Sequence, residues 1–394
     1  MRVLFVPDVY EEGGAFCSFT EMVYNLKENH DIEPVILCSK VGRYTSFAIG
    51  NEIEYHVAGY SAFFINLGSR PLIRILKRLF IPIFYVRYKI GNFIALKYVS
   101  KYIDMDSIDL IHTNVNRNDI GALLSRKYGK KHIWHIREFG TVADVRGNGY
   151  YFYSLRSNYI KFMNNHTDTF LCVSQAVAKQ WVAKGIDERK ISIVYNGVRS
   201  CDQNKVRIRD CNLETNIRII MLGYICPQKG QSQLIEALKY IGLEKRKRIL
   251  VDFYGNYHKS YRASLERYVK KLGMTEQIHY KGYDSDVTEN LSNYDIGVVA
   301  TVAEGFGRAT AEYMMAGVCV IASNTGANEE LVDNGQTGLV YQYGDARDLA
   351  RCLEKFMDVK FVDATKQKAY VKAINCFTSE QNAQRVFDEY KKLF

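Results

Sequence analysis

The sequence predicts two α/β domains in tandem, each built on a doubly wound parallel sheet. Three observations lead to this prediction. The chain has 394 residues, too many for one ordinary core and suited to two domains of about 100–200 residues each. Short apolar runs alternate with segments long enough for helices, the pattern of a parallel sheet covered on both faces. The polar stretch 200–216 interrupts this alternation, and a second series of the same kind follows.

The first series of predicted strands begins at the amino terminus. Residues 2–7 form an apolar run that predicts a buried strand, Gly13-Gly14 predicts a turn, and 18–27 predicts a helix with apolar residues at helical spacing. Further strands are predicted at 34–38, 108–111, 132–135 and 169–173. We expect residues 1–200 to form the first domain.

The second series follows the polar stretch. Its strands are predicted at 217–222, 248–254, 278–280, 296–300 and 318–322. We therefore expect a second domain over 201–375 and a carboxyl-terminal helical segment, 376–394, that packs back toward the first domain. Open parallel sheets bind ligands at the carboxyl ends of their strands, so two such domains are expected to share a ligand-binding cleft.

Composition and cysteine use indicate the class and compartment of the protein. Apolar residues make up 47% and charged residues 24% of the chain, as in ordinary globular proteins. The apolar run at the amino terminus is too short for a signal peptide. The nine cysteines form no CxxC pair and are odd in number, which argues against a zinc site and a disulfide framework. We expect a cytoplasmic protein.

The net charge is +10, and much of the excess lies in one segment. No Asp or Glu occurs from Tyr55 to Ile103, and this stretch carries the cations Arg70, Arg74, Lys77, Arg78, Arg87, Lys89, Lys97 and Lys101. We expect an anionic partner for 70–101. No RNA- or DNA-binding motif accompanies the charge, so nucleic acid is not the expected partner.

Residues 70–80 have the pattern of a basic amphipathic helix. Its cations share one side, and the other side carries Leu72, Ile75, Leu76 and Leu79. The uncharged run 79–86 is far shorter than the roughly 20 apolar residues that span a bilayer. Two interpretations remain: the helix lies on an anionic membrane surface, or its apolar side faces the core and its basic side is solvated.

Chemistry is indicated most clearly by the sequence EGFGRATAE, which runs from Glu304 to Glu312. A glycine turn after the predicted strand 296–300 brings backbone N–H groups to the start of a helix, where a phosphate binds well. Taken by itself, the pattern fits an ordinary loop with a surface glutamate equally well.

Glu304 and Glu312, with seven residues between them, resemble the Glu-x7-Glu signature of retaining GT-B glycosyltransferases of family 4. Similar segments extend the resemblance over nearly the whole chain; they lie at 172–175, 193–198, 281–282 and 335–340. The resemblance implies a GT-B fold, with two Rossmann-like domains whose parallel sheets face a central cleft. It implies that the first domain, 1–200, binds the acceptor and that the second, 201–375, binds the nucleotide sugar. It also implies metal-independent transfer of a sugar from a nucleotide sugar, with retention of anomeric configuration.

Roles in donor binding follow from this resemblance. Glu304 is expected to contact the donor sugar and Glu312 the ribose, and Lys229, in a turn that resembles the phosphate-binding loop of the family, is expected to neutralise the leaving diphosphate. Tyr224 stands where the family usually has Arg. Either the activity is therefore in doubt, or Arg308 supplies part of the positive charge that neutralises the diphosphate. The implied donor-binding residues are Gly13, Gly14, Lys229, Gly305, Phe306, Gly307, Arg308 and Glu312.

The first domain supplies further candidates by the same resemblance. Gly13 and Gly14 match a glycine loop that lets backbone approach the donor phosphate. His135 matches a histidine that touches the donor sugar, so it joins Glu304 and Lys229 as a catalytic candidate, although a strand-end histidine is often structural. Arg137 and Glu138 line the acceptor side or pair with each other.

No metal or resident cofactor is expected. The Asp-x-Asp sequences at 104–106 and 284–286 are interpreted as turn acids, and the donor, a UDP- or GDP-sugar, is a substrate. No nucleophile and base pair is indicated by any motif. On the model held for the retaining family, the leaving diphosphate helps to deprotonate the acceptor hydroxyl on the same face of the sugar.

The interpretation is a cytoplasmic, peripheral membrane glycosyltransferase on the inner face of the cell membrane. It would extend a surface polysaccharide or glycolipid on a lipid-linked saccharide. Three alternatives stay open: a transferase that acts on a soluble acceptor, a sugar-nucleotide epimerase, and a non-catalytic GT-B subunit that stabilises a partner. Tyr224 keeps the last of these open.

Overall fold

The computed structural model describes residues 1–11, 13–66, 71–140, 149–151, 158–200 and 216–394, and every structural statement below concerns these residues. They form two compact units, Met1–Gly197 with Ser379–Phe394, and Val198–Thr378. Both units are α/β with parallel sheets, as the sequence predicts. Most of the polar stretch between the two series, 201–215, lies outside the described residues, as do Arg70 and the side chain of Arg74.

The first unit contains a seven-stranded parallel sheet in the order β3-β2-β1-β5-β6-β8-β9 and an antiparallel pair, β4 and β7. Its elements are β1 (Arg2–Val6), α1 (Gly14–Asn29), β2 (Glu33–Cys38), α2 (Arg43–Gly50), β3 (Glu54–Val57), β4 (Phe64–Asn66), α3 (Pro71–Leu79), α4 (Ile81–Tyr102), β5 (Leu110–Asn114), α5 (Ile120–Tyr128), β6 (Lys131–Ile136), β7 (Gly149–Tyr151), α6 (Asn158–Asn165), β8 (Thr169–Cys172), α7 (Gln175–Ala183), β9 (Ile191–Ile193) and the last helix of the chain, α15 (Ser379–Lys391).

The central strand β1 explains why helices cover both faces of this sheet. Successive side chains of a strand point to opposite faces, and the side chains from Val3 to Val6 of β1 are fully buried on both. Val3 and Phe5 pack in a cluster with α1 and α15, whereas Leu4 and Val6 pack in a second cluster with α4 and α5.

The second unit contains a six-stranded parallel sheet in the order β12-β11-β10-β13-β14-β15. Its elements are β10 (Ile217–Leu222), α8 (Gln231–Leu238), α9 (Leu243–Lys247), β11 (Ile249–Tyr254), α10 (Lys259–Lys271), β12 (Ile278–Gly282), β13 (Ile296–Val299), α11 (Arg308–Met315), β14 (Cys319–Ser323), α12 (Asn328–Leu331), β15 (Leu339–Tyr341), α13 (Ala346–Lys355) and α14 (Val359–Cys376).

Several boundaries differ from the sequence-based expectation. The helix predicted at 18–27 begins at Gly14 in the structure. The prediction missed the first turn because that turn has little apolar periodicity. The strands β3, β9 and β15 were not predicted; they have three or four residues each and lie at or near sheet edges, where side-chain alternation is weak.

Both sheets contain a point at which the strand order reverses, and open parallel sheets bind ligands at such points. The strand order reverses between β1 and β5 in the first unit, and between β10 and β13 in the second. The connections that leave these neighbouring strands run in opposite directions and open a crevice at their carboxyl ends. Candidate ligand-binding residues are therefore expected after β1 and β5, and after β10 and β13.

Candidate active site

The loop after β10 places Lys229 at the reversal point of the second sheet. A single 3-10 turn, Pro227–Lys229, leads into α8 through Gly230, whose φ is +72°. A Cβ at Gly230 would lie 2.1 Å from the carbonyl oxygen of Ala300, at the end of β13. Only glycine therefore allows the two loops to approach each other this closely.

The loop after the neighbouring strand β13 carries Glu304 and the predicted glycine turn. Gly307 has a φ of +98° and precedes the first residue of α11, and Phe306 is buried against Phe377. The carbonyl oxygen of Glu304 accepts a hydrogen bond of 2.8 Å from the backbone N–H of Ala327. This contact fixes the loop against the segment that follows β14.

Lys229 and Glu304 form an ion pair. The Nζ atom lies 3.0 Å from Oε2 of Glu304, and the two side chains are 32% and 19% exposed. Burial lowers the pKa of Lys229, but the charge and hydrogen bond of Glu304 outweigh burial and raise it above the ordinary value. Lys229 is thus a fixed cation, and its pair with Glu304 remains accessible to a ligand.

Arg308 and Glu312 form a second ion pair on the first turns of α11. Their side chains are 3.1 Å apart and mostly buried. Gly307 has no side chain and so cannot cap the first N–H groups of the helix itself. Tyr224, at the position where the family has Arg, is 48% exposed. Lys229 reaches the glycine turn through its ion pair with Glu304, and Arg308 is the first residue of the helix after the turn.

Tyr313 anchors α11 and was not predicted as a site residue. Its hydroxyl accepts a hydrogen bond of 2.7 Å from the N–H of Leu222, at the end of β10. Its ring occupies the space that a side chain at Gly297 of β13 would fill. Tyr313 holds the helix against both strands at the reversal point, and the glycine within a buried strand was the available sequence signal.

The remaining predicted candidates lie in the first unit. Gly13, with a φ of +76°, precedes α1, and Gly14 is its first residue. His135 is fully buried; its Nδ1 lies 3.3 Å from Nε2 of His112, and its Nε2 has no hydrogen-bond partner among the described residues. Burial lowers the pKa of His135 well below its usual value, so the ring is neutral.

Sequence reasoning singled out Glu138 but missed the other members of a polar group at the carboxyl ends of β1, β5 and β6. We call it the carboxyl-edge cluster, and it consists of Asp8, Tyr10, Asn116, Arg117, Asn118 and Glu138. The available signal was the sequence NVNRN, which begins at the last residue of β5. Glu138 pairs with Arg117, while the buried Arg137 donates to Asn114 and Asn196. The expected alternative in which Arg137 and Glu138 pair with each other is therefore wrong.

The two Asp-x-Asp sequences form local turns. Asp104 Oδ1 accepts a hydrogen bond of 3.1 Å from the N–H of Asp106, and Asp284 Oδ1 accepts one of 2.9 Å from Asp286. Across the described ranges, no group of three or more His, Cys, Asp or Glu side chains has the arrangement of a metal site.

Helices α3 and α4 carry a large exposed apolar area, which we call the α3–α4 surface. In α3 the apolar stripe faces outward: Leu72 is 76% and Leu79 is 71% exposed. The surface consists of the exposed residues Leu72, Ile75, Leu76, Leu79, Phe80, Ile83, Val86, Ile90, Phe93 and Ile94 and the exposed cations Arg78, Arg87, Lys89, Lys97 and Lys101. The alternative in which the apolar side of α3 faces the core is therefore wrong.

Helix α4 is apolar on two opposite faces. Tyr88, Asn92, Ala95 and Val99 form its buried face, and the apolar residues of the α3–α4 surface lie about half a turn away from them. The buried face is pinned to Asp119 by Tyr88 and by Asn92, whose Nδ2 is 2.9 Å from Asp119 Oδ1. None of the described helices combines the length and apolarity needed to cross a membrane.

The arrangement in the second unit suits an anionic, hydroxyl-bearing ligand. Two cations and the N–H groups of α11 are matched to phosphate oxygens, and two carboxylates are matched to hydroxyl groups. Family models agree with this chemistry: Glycosyltransferase Family 4 matches residues 23–200 and Glycosyl transferases group 1 matches 205–374. Together these ranges cover most of the chain, which belongs to the glycosyltransferases.

Individual relatives match this chain over most of their length. Uncharacterized glycosyltransferase MJ1178 of Methanocaldococcus jannaschii is 28% identical over 307 residues, covering 76% of this chain and 78% of the relative. The UDP-Gal:alpha-D-GlcNAc-diphosphoundecaprenol alpha-1,3-galactosyltransferase of Escherichia coli is 22% identical over 310 residues, covering 74% and 77%. The crystal structure of Anabaena HepE in complex with UDP has a TM-score of 0.76 at 18% identity and covers 100% of both chains. The predicted GT-B fold is confirmed.

Proposed function

We propose that this glycosyltransferase moves a sugar from a UDP- or GDP-sugar to a lipid-linked saccharide, with retention of configuration, in the synthesis of a surface polysaccharide or glycolipid. The proposal rests on two ion pairs, Lys229–Glu304 and Arg308–Glu312, which lie on either side of the glycine turn that precedes α11.

Donor binding follows from the charges of this site. The diphosphate takes the N–H groups of α11 and the cations Lys229 and Arg308, since fixed positive charge there stabilises the leaving group. Glu304, released from Lys229, accepts from hydroxyl groups of the donor sugar, and Glu312 accepts from the ribose. Uridine as the base is supported by Anabaena HepE, which was crystallised with UDP.

The reaction transfers one glycosyl group. The bond from the anomeric carbon to the diphosphate breaks, the same carbon bonds to the acceptor oxygen on the same face, and the hydroxyl proton passes to the departing phosphate oxygen. Lys229, Arg308 and the helix N-terminus supply the charge stabilisation that a divalent cation supplies elsewhere. We therefore propose metal independence as well.

Attachment to the inner face of the cell membrane is the second part of the proposal. The exposed cations of the α3–α4 surface lie on the same two helices as its apolar residues. Each cation near an anionic membrane contributes about 1 kcal/mol to the free energy of membrane binding. Apolar side chains beside cations suit a helix pair lying in the headgroup region. The lipid-linked acceptor is supported by the Escherichia coli relative, whose acceptor is a diphosphoundecaprenol-linked sugar.

The transfer is tested with purified protein, common UDP- and GDP-sugars and a membrane extract, by following free nucleoside diphosphate with and without EDTA. We expect release that requires one donor and the extract, that survives EDTA and that is lost in Glu304→Gln. Proton NMR of the product gives the anomeric configuration, and inversion would refute retention. If the folded protein neither binds nor turns over any donor, the chain is a non-catalytic subunit.

Membrane attachment is tested by flotation with vesicles of phosphatidylcholine alone or mixed with phosphatidylglycerol. We expect binding to the anionic vesicles only, weakened by salt and by Leu72→Glu with Leu79→Glu. Leu243→Glu, at another exposed leucine, is the matched control and should not change binding. Equal binding by both proteins, or none to anionic vesicles, contradicts the attachment.

A further inference from the structure

Tyr313 lies at the point where β10 and β13 separate. In the pairing of these two strands Ile220 is the last residue of β10, which continues to Leu222. The N–H of Gly223 donates to the carbonyl of Tyr254 on β11 at 3.0 Å. Because successive residues direct their N–H groups to opposite neighbouring strands, the N–H of Leu222 points to the side of β13. The hydroxyl of Tyr313 accepts this N–H at 2.7 Å and takes the place of β13 as its partner.

The Tyr313 ring reaches this point because Gly297 of β13 has no side chain. A Cβ at Gly297 would lie 2.3 Å from the ring. The Tyr313 side chain is fully buried, and burial raises the pKa of the phenol above its usual value, so the hydroxyl keeps its proton and stays neutral. A buried, neutral phenol whose oxygen is bonded to a strand end is suited to fixing the backbone, not to touching a ligand.

The bond to Leu222 acts on Lys229 through the residue between them in space, Gly223. The stem of Lys229 lies along this glycine, since a Cβ at Gly223 would be 3.5 Å from Cε and 3.6 Å from Cδ of the lysine. From the side of β11, a Cβ at Gly255 would lie 2.2 Å from the carbonyl oxygen of Gly223. The backbone along the lysine stem is therefore held from one side by the end of β11 and from the other by Tyr313.

Helix α11 carries the other half of the proposed diphosphate site. Arg308 is its first residue, and Tyr313 directly follows Glu312. Tyr313 thus ties the helix whose N-terminus and Arg308 bear positive charge to the loop that carries Lys229. Preorganised charge stabilises a developing anion, and a displacement of about 1 Å can lower a rate about 100-fold. The position of Lys229 relative to α11 therefore matters for the leaving diphosphate.

We propose that Tyr313 is a positioning residue for the transfer reaction: its hydroxyl holds the end of β10 so that the Lys229 ammonium and the N-terminus of α11 contact the same diphosphate. This assignment rests on the proposed transfer reaction and adds a residue that acts through Lys229 without touching the donor. Tyr313→Phe keeps the ring against Gly297 and removes only the hydroxyl, so this variant isolates the bond to Leu222.

Hydrogen exchange tests the positioning without any donor. Amide exchange of the full chain is followed by mass spectrometry on peptides covering 223–230, where the amides of Gly223, Ile225 and Lys229 are hydrogen-bonded. We expect Tyr313→Phe to speed exchange of this segment about tenfold, because a locally released loop opens more often. Tyr268→Phe, which removes the hydroxyl that α10 bonds to Glu236 of α8, is the control and should exchange there as the wild type does. Unchanged exchange of 223–230 in Tyr313→Phe overturns the proposal.

Nucleotide binding then separates positioning from a general loss of stability. Calorimetric titration with UDP and with GDP is carried out on the wild type, Tyr313→Phe, Lys229→Ala and the double variant. We expect Tyr313→Phe to weaken binding of the preferred nucleotide about tenfold, as partial loss of a charged contact does. In the Lys229→Ala background it should have no further effect, because the hydroxyl acts through Lys229.

The outcomes distinguish this role from the donor site itself. Equal weakening by Tyr313→Phe in both backgrounds shows a general structural effect and overturns the proposal. Faster exchange of 223–230 with unchanged nucleotide affinity overturns it as well, because the loop then moves without consequence for the diphosphate. Failure of the wild type to bind either nucleotide counts against the proposed transfer reaction, whereas the exchange measurement, made without nucleotide, still decides whether Tyr313 holds the loop.

Discussion

Lys229 and Glu304 come from the loops after two neighbouring strands, and their side chains meet at 3.0 Å although 75 positions separate them in the sequence. In this state each charge compensates the other. In the proposed donor complex, a nucleoside diphosphate would compete with Glu304 for Lys229 and make the freed carboxylate available to the sugar. We therefore propose that donor binding and sugar recognition are coupled through this ion pair.

Replacement of the lysine should therefore affect the chemical step. We expect Lys229→Ala to lower kcat at saturating donor by about 100-fold or more, as loss of one fixed charge at a developing anion does in other enzymes. Nucleoside diphosphate release in the presence of the acceptor extract measures this. Lys239→Ala removes an exposed lysine paired with Glu236 and is the matched control. A kcat within threefold of the wild type would show that Lys229 does not stabilise the leaving group.

Glu312 should act on donor binding through the ribose. We expect Glu312→Gln to raise the KM of the donor about tenfold, since a hydrogen bond to a charged group contributes roughly 1.5–3 kcal/mol. A donor whose ribose lacks both hydroxyl groups should bind the wild type and the variant equally. Glu266→Gln breaks another i,i+4 pair, with Arg262, and controls for the loss of helix stability. An equal rise in KM for both donors would contradict a ribose contact.

Gly326 should be required for the position of Glu304. Its φ is +60°, and a Cβ there would lie 2.2 Å from the carbonyl oxygen of Glu304. We expect Gly326→Ala to lower the free energy of unfolding by about 3 kcal/mol and to reduce activity, because it combines backbone strain with a steric clash. Gly335 has a φ of +78° and open space around it, so Gly335→Ala should lower the free energy of unfolding by only about 1 kcal/mol. Equal melting temperatures for the two variants would show that the loop adapts.

Asp119 should make stability depend on pH. Burial raises its pKa from 3.8 to about 6, while hydrogen bonds from Tyr88 and Asn92 act in the opposite direction. The folded state therefore holds this proton more tightly than the unfolded state, so the contribution to stability is complete below about pH 4 and is lost as the pH rises through about 6. It amounts to roughly 3 kcal/mol.

Asp119→Asn is expected to remove this dependence, because an amide does not ionise. Its oxygen can still accept from Asn92, and its NH2 group can donate to the Tyr88 hydroxyl in place of the bond that the carboxylate accepts. Urea unfolding between about pH 4 and 7 is the measurement. The difference in unfolding free energy between variant and wild type should shift in favour of the variant as the pH rises. A difference that stays constant across this range would mean that Asp119 has an ordinary pKa in the folded protein.

The residues of the site differ in how far the sequence could identify them. The glycine turn and the two glutamates lie within nine consecutive positions, so local pattern and family resemblance were enough to find them. Lys229 was found by resemblance, but its pairing with Glu304 depends on β10 and β13 being neighbours. Arg117 and Asp8, 109 positions apart, had no local signal that links them.

The sequence by itself determined the alternation of strands and helices, and with it the two parallel sheets, because apolar period and turn residues act locally. It also determined the basic character of 70–101. The tertiary structure alone decided the strand order, the outward direction of the apolar stripe of α3 and the meeting of Asp8, Arg117 and Glu138. The physical reason is that these features depend on which surfaces pack together, and packing is settled between segments far apart in the chain.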